Sequence, residues 1–250
     1  VLFRSTSGLE DYTKQPSFLN AFESDPLRNW QPEELLQEVT KLPLAFKPGS
    51  KYAYSDTDNI AIGLIAEQVA AEPYQGLLEA IVTEPLGMSR TALPGQPRMA
   101  KPFVSGYQYE EPGGEERLVD VTSVLSPSGA WASGAIISTP AELPRFFASV
   151  RSGRLFGNKL AEEQIKTVPG ESSPPGPGEN GSGLGIYSYK QGCGTVYGHS
   201  GSFPGYQPIA FVSRDGAASA VVTINATQIS GVALSAVRKL QARIACAVAN

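Results

Sequence analysis

Between Leu184 and Ile224 the chain is a succession of short β-branched and aromatic runs separated by Gly-rich breaks, and this pattern restricts the fold most. Leu184–Lys190 and Thr195–His199 read as strands, as do Ile209–Val212 and Ala217–Ile224. The last two flank Arg214-Asp215-Gly216, a strong hairpin signal. Within this region Gly192–Tyr206 holds the only histidine of the chain and one of its two cysteines. Glycines flanking the polar pair His199-Ser200 at a strand end leave the backbone open to a ligand, because no Cβ stands in the way. Taken alone, the stretch reads more readily as a Gly-rich turn with an incidental histidine than as a site strand.

The first two thirds carry a different period. Residues 1–31 are loop-like. Pro32–Leu42 reads as a helix, with Pro in its first turn, two Glu near its start, and Leu35, Leu36, Val39 and Leu42 on one side. After the turn Phe46–Ser50, Tyr52–Ser55 is extended. Thr57–Ala71 is strongly helical through Ile60, Ala61, Leu64, Ile65 and Val69, with Ser55 or Asp56 able to cap it. A further helix spans about Tyr74–Thr83 and stops before Pro85. Residues 94–128 form a Pro-, Gly- and Glu-rich excursion, whose Glu110-Glu111 and Glu115-Glu116 read as a solvated loop. Helices return over Pro140–Ser152 and Lys159–Val168. A Pro/Gly/Ser stretch, 169–182, leads into the strands, and a last helix carries Ala233, Val237, Leu240, Ile244 and Cys246. Helices first and antiparallel strands last define an α+β chain. The expected division is a mostly helical subdomain over about 9–135 and a sheet-containing part over about 136–250.

Composition narrows the function classes. With 250 residues, 41% hydrophobic and 18% charged, the chain can bury a substantial core. A net charge of −4 without a basic cluster gives no reason to expect nucleic acid. No apolar run approaches a membrane span. One histidine and no Cys-x-x-Cys argue against a metal site. Cys193 and Cys246 read either as two buried thiols or as a disulfide of an oxidising compartment.

The order of short motifs resembles the serine β-lactamase and D-alanyl-D-alanine carboxypeptidase superfamily, in its class C-like branch. Leu2-Phe3-Arg4-Ser5-Thr6-Ser7-Gly8-Leu9 resembles "L-L-x-H-T-S-G-L", with Ser5 where His is usual. Phe46-x-Pro48-Gly49-(x)4-Tyr54-Ser55-Asp56-Thr57 resembles "F-x-P-G-x-x-x-x-Y-S-N". Gly63 and Glu67, Glu84-Pro85-Leu86-Gly87-Met88, Gly134–Thr139 and Gly198-His199-Ser200-Gly201-(x)3-Gly205-Tyr206 complete the series. The resemblance implies an antiparallel sheet flanked by helices plus a mostly helical subdomain. It also implies an acyl-serine mechanism without a cofactor, acting on a small-molecule or peptide substrate such as a D-Ala-D-Ala peptide, a β-lactam or an ester. By resemblance Tyr54 is the general base and acid, and His199 orients it and helps bind substrate. Ser200 donates to a substrate carboxylate, and the N–H of Ser202, just after Gly201, forms half of an oxyanion hole. A tyrosine with its ordinary pKa of about 10 needs neighbouring positive charge for this work.

The sequence departs from the family pattern in three places. None of the nine lysines has a serine three positions earlier, so Ser-x-x-Lys is absent. The expectation is a chain lacking the N-terminal strands and the nucleophile helix, and therefore inactive by itself; a non-catalytic relative is the alternative. Asp56 replaces the usual asparagine, and a carboxylate can only accept hydrogen bonds where an amide also donates. Tyr187 and Ser188 follow Leu184-Gly185-Ile186, where some peptidases of the branch place a carboxylate-binding arginine. The segment Cys193–His199 resembles carboxypeptidases in which the equivalent cysteine is bridged. A Cys193–Cys246 disulfide is therefore expected by resemblance, and with it a secreted or periplasmic, cell-wall-facing protein. A D-alanyl-D-alanine carboxypeptidase-like activity is the leading expectation. A β-lactamase, a small-ester esterase or a non-catalytic penicillin-binding-like protein are the alternatives.

Overall fold

A computed structural model describes residues 4–94, 99, 101–110 and 117–250. The chain forms two compact units, one of Val1–Lys101 with Ser123–Thr139 and one of Pro102–Thr122 with Pro140–Asn250.

The first unit is helical. Its core is Tyr12, Phe18, Trp30, Leu35, Val39 and Ile60, with Phe22, Leu36, Leu64 and Trp131 packed around them. Phe18 and Phe22 come from α1 (Pro16–Ser24), in a region read from sequence as loop. Pro16 pre-sets the first helical dihedral, and Phe18 and Phe22, four apart, face the core together. The Phe18 ring meets Tyr12 edge-on at 5.0 Å and lies 5.0 Å from Trp30. This packing, which a single-segment reading does not see, stabilises the helix. The next helix, α2 (Pro32–Gln37), is shorter than expected. Glu34 reaches back to the Gln31 N–H at 2.8 Å. Leu35 and Val39 are buried, but the helix ends before Leu42, which stays exposed.

The long helix α3 (Asp56–Ala70) starts one residue earlier than predicted and buries Thr57, Asp58, Ile60 and Gly63. Ile65 and Val69, expected on the core side, are exposed. Gly63 explains the rotation: a Cβ there would lie 2.7 Å from the Trp131 ring, so the indole can seat only on the glycine face. Trp131 belongs to the short α5 (Trp131–Gly134). The predicted helix over 74–83 is α4 (Tyr74–Leu78) followed by a π-helical turn, Glu79–Thr83.

The second unit contains two sheets. The excursion read as irregular holds β1 (Tyr107–Glu110) and β2 (Arg117–Asp120), which pair antiparallel with Tyr107 opposite Asp120. Four-residue strands are too short to show a period in the sequence. Next come α6 (Leu143–Arg151) and α7 (Asn158–Gln164); the latter ends before Val168, which enters β3 (Val168–Pro169). The main sheet runs β3, β4 (Glu179–Ser182), β5 (Tyr187–Gln191), β6 (Gly194–Ser200), β7 (Gln207–Val212), β8 (Ser219–Ile224), each antiparallel to the next. The 214–216 turn forms as read, with Asp215 accepting from Ser213 Oγ at 2.7 Å and Ala217 N–H at 3.0 Å. A two-residue β9 (Ala226–Thr227) pairs parallel with β1. The last helix, α8 (Gly231–Ala249), packs on β6, β7 and β8. Its buried residues are Ala245 and Val248; Leu240, predicted inward, is exposed. Arg151 is fully buried, donating to the Arg214 carbonyl and pairing with Glu162 at 3.1 Å. Cys193, just before β6, is bridged to Cys246 of α8, with Cα atoms 5.5 Å apart.

Candidate active site

In the first unit, residues 5–8 run beside 45–53. The Ser5 carbonyl accepts from Ala53 N–H at 2.9 Å, Thr6 from Gly49 and Gly8 from Ala45. These bonds deliver Tyr54 to the start of α3. Ser55 occupies the N-cap position, yet its hydroxyl donates to the Glu10 carbonyl at 3.2 Å and caps nothing. Asp56, offered from sequence as a cap, is instead the first helical residue. Its carboxylate accepts the Tyr54 hydroxyl at 3.1 Å. Burial first, and then the Asp56 charge, push the Tyr54 phenol above its ordinary range. The named charges acting on it, Asp56, Asp11 and Tyr52, all raise it. Burial and the nearby Asp11 carboxylate in turn lift Asp56 to about 6, against the opposing effects of the Tyr54 bond and Lys14. By itself, then, this unit presents Tyr54 as a proton donor rather than a base.

A second buried acid lies one turn into the helix. Asp58 accepts from Ser7 Oγ at 2.5 Å, while its other oxygen is buried with no hydrogen-bond partner among the described residues. Burial raises it to about 6 despite the Ser7 bond. Sequence reading missed this pair, since Ser7 and Asp58 are 51 residues apart and nothing local marks them as partners.

In the second unit, His199, Ser200, Gly201 and Ser202 sit at the end of β6. The His199 Nδ1 is 2.5 Å from the Ser200 carbonyl. A carbonyl only accepts, so Nδ1 carries the proton and Nε2 is left as an acceptor. Burial lowers the His199 pKa, keeping the ring neutral. Its ring packs in a T-shaped arrangement against the Tyr187 ring, with centroids 5.0 Å apart. Tyr187 thus packs on the histidine where some peptidases of the branch were expected to hold an arginine, and Ser188 Oγ faces the Gly181 carbonyl at 3.5 Å. Ser200 is buried and donates its hydroxyl proton to the Pro174 carbonyl at 2.6 Å. Gly201 N–H donates to Pro208 O at 2.8 Å, whereas Ser202 is exposed. Gly198 serves the sheet itself: a Cβ there would stand 1.9 Å from the Ala210 carbonyl oxygen of β7. Among the described residues, no three His, Cys, Asp or Glu side chains gather as a metal-ligand set, and no helix is long and apolar enough to cross a membrane.

The sequence profile of the beta-lactamase family matches residues 2–242. The chain belongs to the beta-lactamase family. Two curated relatives, in Escherichia coli (strain K12) and E. coli O157:H7, share the name "Putative D-alanyl-D-alanine carboxypeptidase". The first is 22% identical over 187 residues, covering 75% of this chain and 37% of that protein. The second is 26% identical over 100 residues, covering 40% and 21%. This chain thus spans little more than a third of the first relative. Among solved structures, a D-stereospecific amidohydrolase from Streptomyces sp. superposes with a TM-score of 0.80 at 31% identity, covering 90% of this chain and 66% of that one. A D-amino acid amidase from Ochrobactrum anthropi SV3 gives 0.72 at 24% identity, covering 90% and 63%. A penicillin binding protein from Bacillus halodurans gives 0.74 at 19%, covering 96% and 72%. These last two share the fold with this beta-lactamase-family chain.

Proposed function

We propose that the chain supplies the tyrosine- and histidine-bearing part of a serine acyl hydrolase that cleaves amide bonds of D-amino-acid substrates. The observation that carries this reading is the half-buried Tyr54 hydroxyl at the start of α3, hydrogen-bonded to Asp56. The D-residue class is supported by the names of the relatives, carboxypeptidase and amidohydrolase alike. In the proposed reaction a serine hydroxyl attacks the substrate carbonyl and loses its proton to the Tyr54 phenolate. The tetrahedral adduct then collapses, breaking the C–N bond, and Tyr54–OH returns the proton to the leaving amine. Water hydrolyses the acyl-serine by the reverse proton route. The serine and the lysine that holds Tyr54 ionised belong to a Ser-x-x-Lys outside residues 1–250. His199, as a neutral acceptor, and the N–H of Ser202 are assigned to substrate positioning, and no cofactor is required. The disulfide fits a protein exported to an oxidising, cell-wall-facing compartment.

A second reading is a penicillin-binding relative that does not turn over, and the surroundings that raise Tyr54 favour it. The test uses the protein extended by its upstream coding sequence, incubated with a fluorescent penicillin and with D- and L-phenylalanine amide. A covalent adduct on the serine of a Ser-x-x-Lys, with hydrolysis of the D-amide at least about tenfold faster, supports the hydrolase. Binding without an adduct or turnover supports the second reading.

A further inference from the structure

We propose that Ser200 is a positioning residue whose hydroxyl anchors the loop of residues 172–180, and that the substrates served by β6 end in an uncharged amide or ester rather than a free carboxylate. The substrate half rests on the acyl-hydrolase reading above; the anchoring half does not.

A serine hydroxyl has one proton to give. That of Ser200 goes to the Pro174 carbonyl at 2.6 Å, in a residue only 4% exposed. What Ser200 has left are lone pairs, which repel a carboxylate. The ring beside it offers no charge either, because His199 spends its Nδ1–H on the Ser200 carbonyl and is held neutral by burial.

The acceptor at Pro174 is part of a built network. Ser172, 3% exposed, places its Oγ 3.0 Å from the same carbonyl and 3.3 Å from Asn180 Oδ1. It also accepts from Gly176 N–H at 3.0 Å. Asn180 receives the Gly176 N–H at 3.1 Å and donates to the Gly176 and Gly178 carbonyls at 3.1 and 2.9 Å. Asn180 is itself fixed in β4, opposite Tyr189 of β5. The loop also packs closely on that ring, since a Cβ on Gly176 would come 2.1 Å from Tyr189 Cε1. Asn180 therefore fastens the loop to β4 at one end and Ser200 fastens it to β6 at the other. The Ser200 hydroxyl joins this network to the His199 strand through the Pro174 carbonyl.

Hydrogen exchange on the 250-residue chain tests the anchor. In Ser200→Ala the Gly176 amide should exchange at least about tenfold faster while β7 and β8 amides keep their rates. Asn180→Ala should reproduce the effect, and Ser200→Thr, which keeps a hydroxyl, should restore protection. If Ser200→Ala loses protection throughout, Ser200→Val is compared with the near-isosteric Ser200→Thr, and equal Gly176 exchange in the two overturns the anchor. Unchanged Gly176 exchange in the folded variants overturns the anchor. The substrate half is tested in the extended protein, with one D-Ala-D-Ala peptide carrying either a carboxylate or a carboxamide. The carboxamide should be favoured at least about tenfold in kcat/KM, and Ser200→Ala should lower both substrates by the same factor. A rise in KM confined to the carboxylate would identify Ser200 as a carboxylate donor and overturn the proposal. If neither peptide is turned over while Gly176 loses protection, the hydrolase reading fails and the anchor stands.

Discussion

Replacing Asp58 by asparagine should remove a defined part of the pH dependence of stability. Asp58 is 1% exposed and holds one hydrogen bond from Ser7, and its second oxygen has no hydrogen-bond partner among the described residues. Its carboxyl is raised from 3.8 to about 6. Between these values the folded chain binds more protons than the unfolded chain, so the Asp58 contribution falls as pH rises through the window. The full loss is about 3 kcal/mol, of which about 2 kcal/mol falls between pH 4.5 and 7.5. Asparagine keeps the acceptor for Ser7 and cannot ionise. The variant should therefore lose about 2 kcal/mol less than the parent over that interval, whatever its stability at either end. Urea unfolding followed by tryptophan fluorescence measures this directly, because Trp30 and Trp131 lie in the same unit as Asp58. Asp56, also raised to about 6, adds its own fall, which Asp56→Asn should remove separately. Parallel stability–pH curves for the parent and Asp58→Asn would refute the reasoning: they would mean that the buried carboxyl ionises in the folded chain as easily as in water.

Four further outcomes are expected. The 250-residue chain incubated with a fluorophosphonate or a fluorescent penicillin should show no mass increase, since none of its serines stands three residues before a lysine; stoichiometric labelling would contradict this. In the extended protein, Tyr54→Phe should slow acylation by about 10²–10⁴, and His199→Ala by less; a nearly silent Tyr54→Phe beside a crippled His199→Ala would reverse the roles. Denatured, unreduced protein should have no titratable thiol. Reduction should lower stability by roughly 4 kcal/mol for a loop of 53 residues, with exchange rising first in α8 and β6. Gly198→Ala should cost about 2–3 kcal/mol by forcing β6 away from Ala210, read as a lower urea midpoint.

Much of the fold is legible in the sequence wherever one element carries its own signal. The strands between 184 and 224 and their 214–216 turn appear where β-branched runs and glycine placed them. The starts of α2 and, to within one residue, α3 do so too, because proline and apolar spacing act within one turn. The motif order also identifies the family before any coordinates are considered.

Tertiary packing decided the remainder. α1 exists because Phe18 and Phe22 find Tyr12 and Trp30. The face α3 buries was set by the indole that Gly63 admits, so Ile60 goes inward while Ile65 and Val69 lie outward. The strands β1 and β2 are held by pairing with each other, and β1 also by β9, more than 100 residues away. The local sequence determined that a tyrosine and two carboxyls would be present in the first unit and a histidine in the second. It left their proton affinities undetermined, because these depend on burial and on neighbours such as Asp11 and Ser7 that only folding brings into reach. The role of Ser200 follows the same rule. Its motif position suggests a substrate donor, and folding brings its hydroxyl against the carbonyl of Pro174, 26 residues upstream and close only in space.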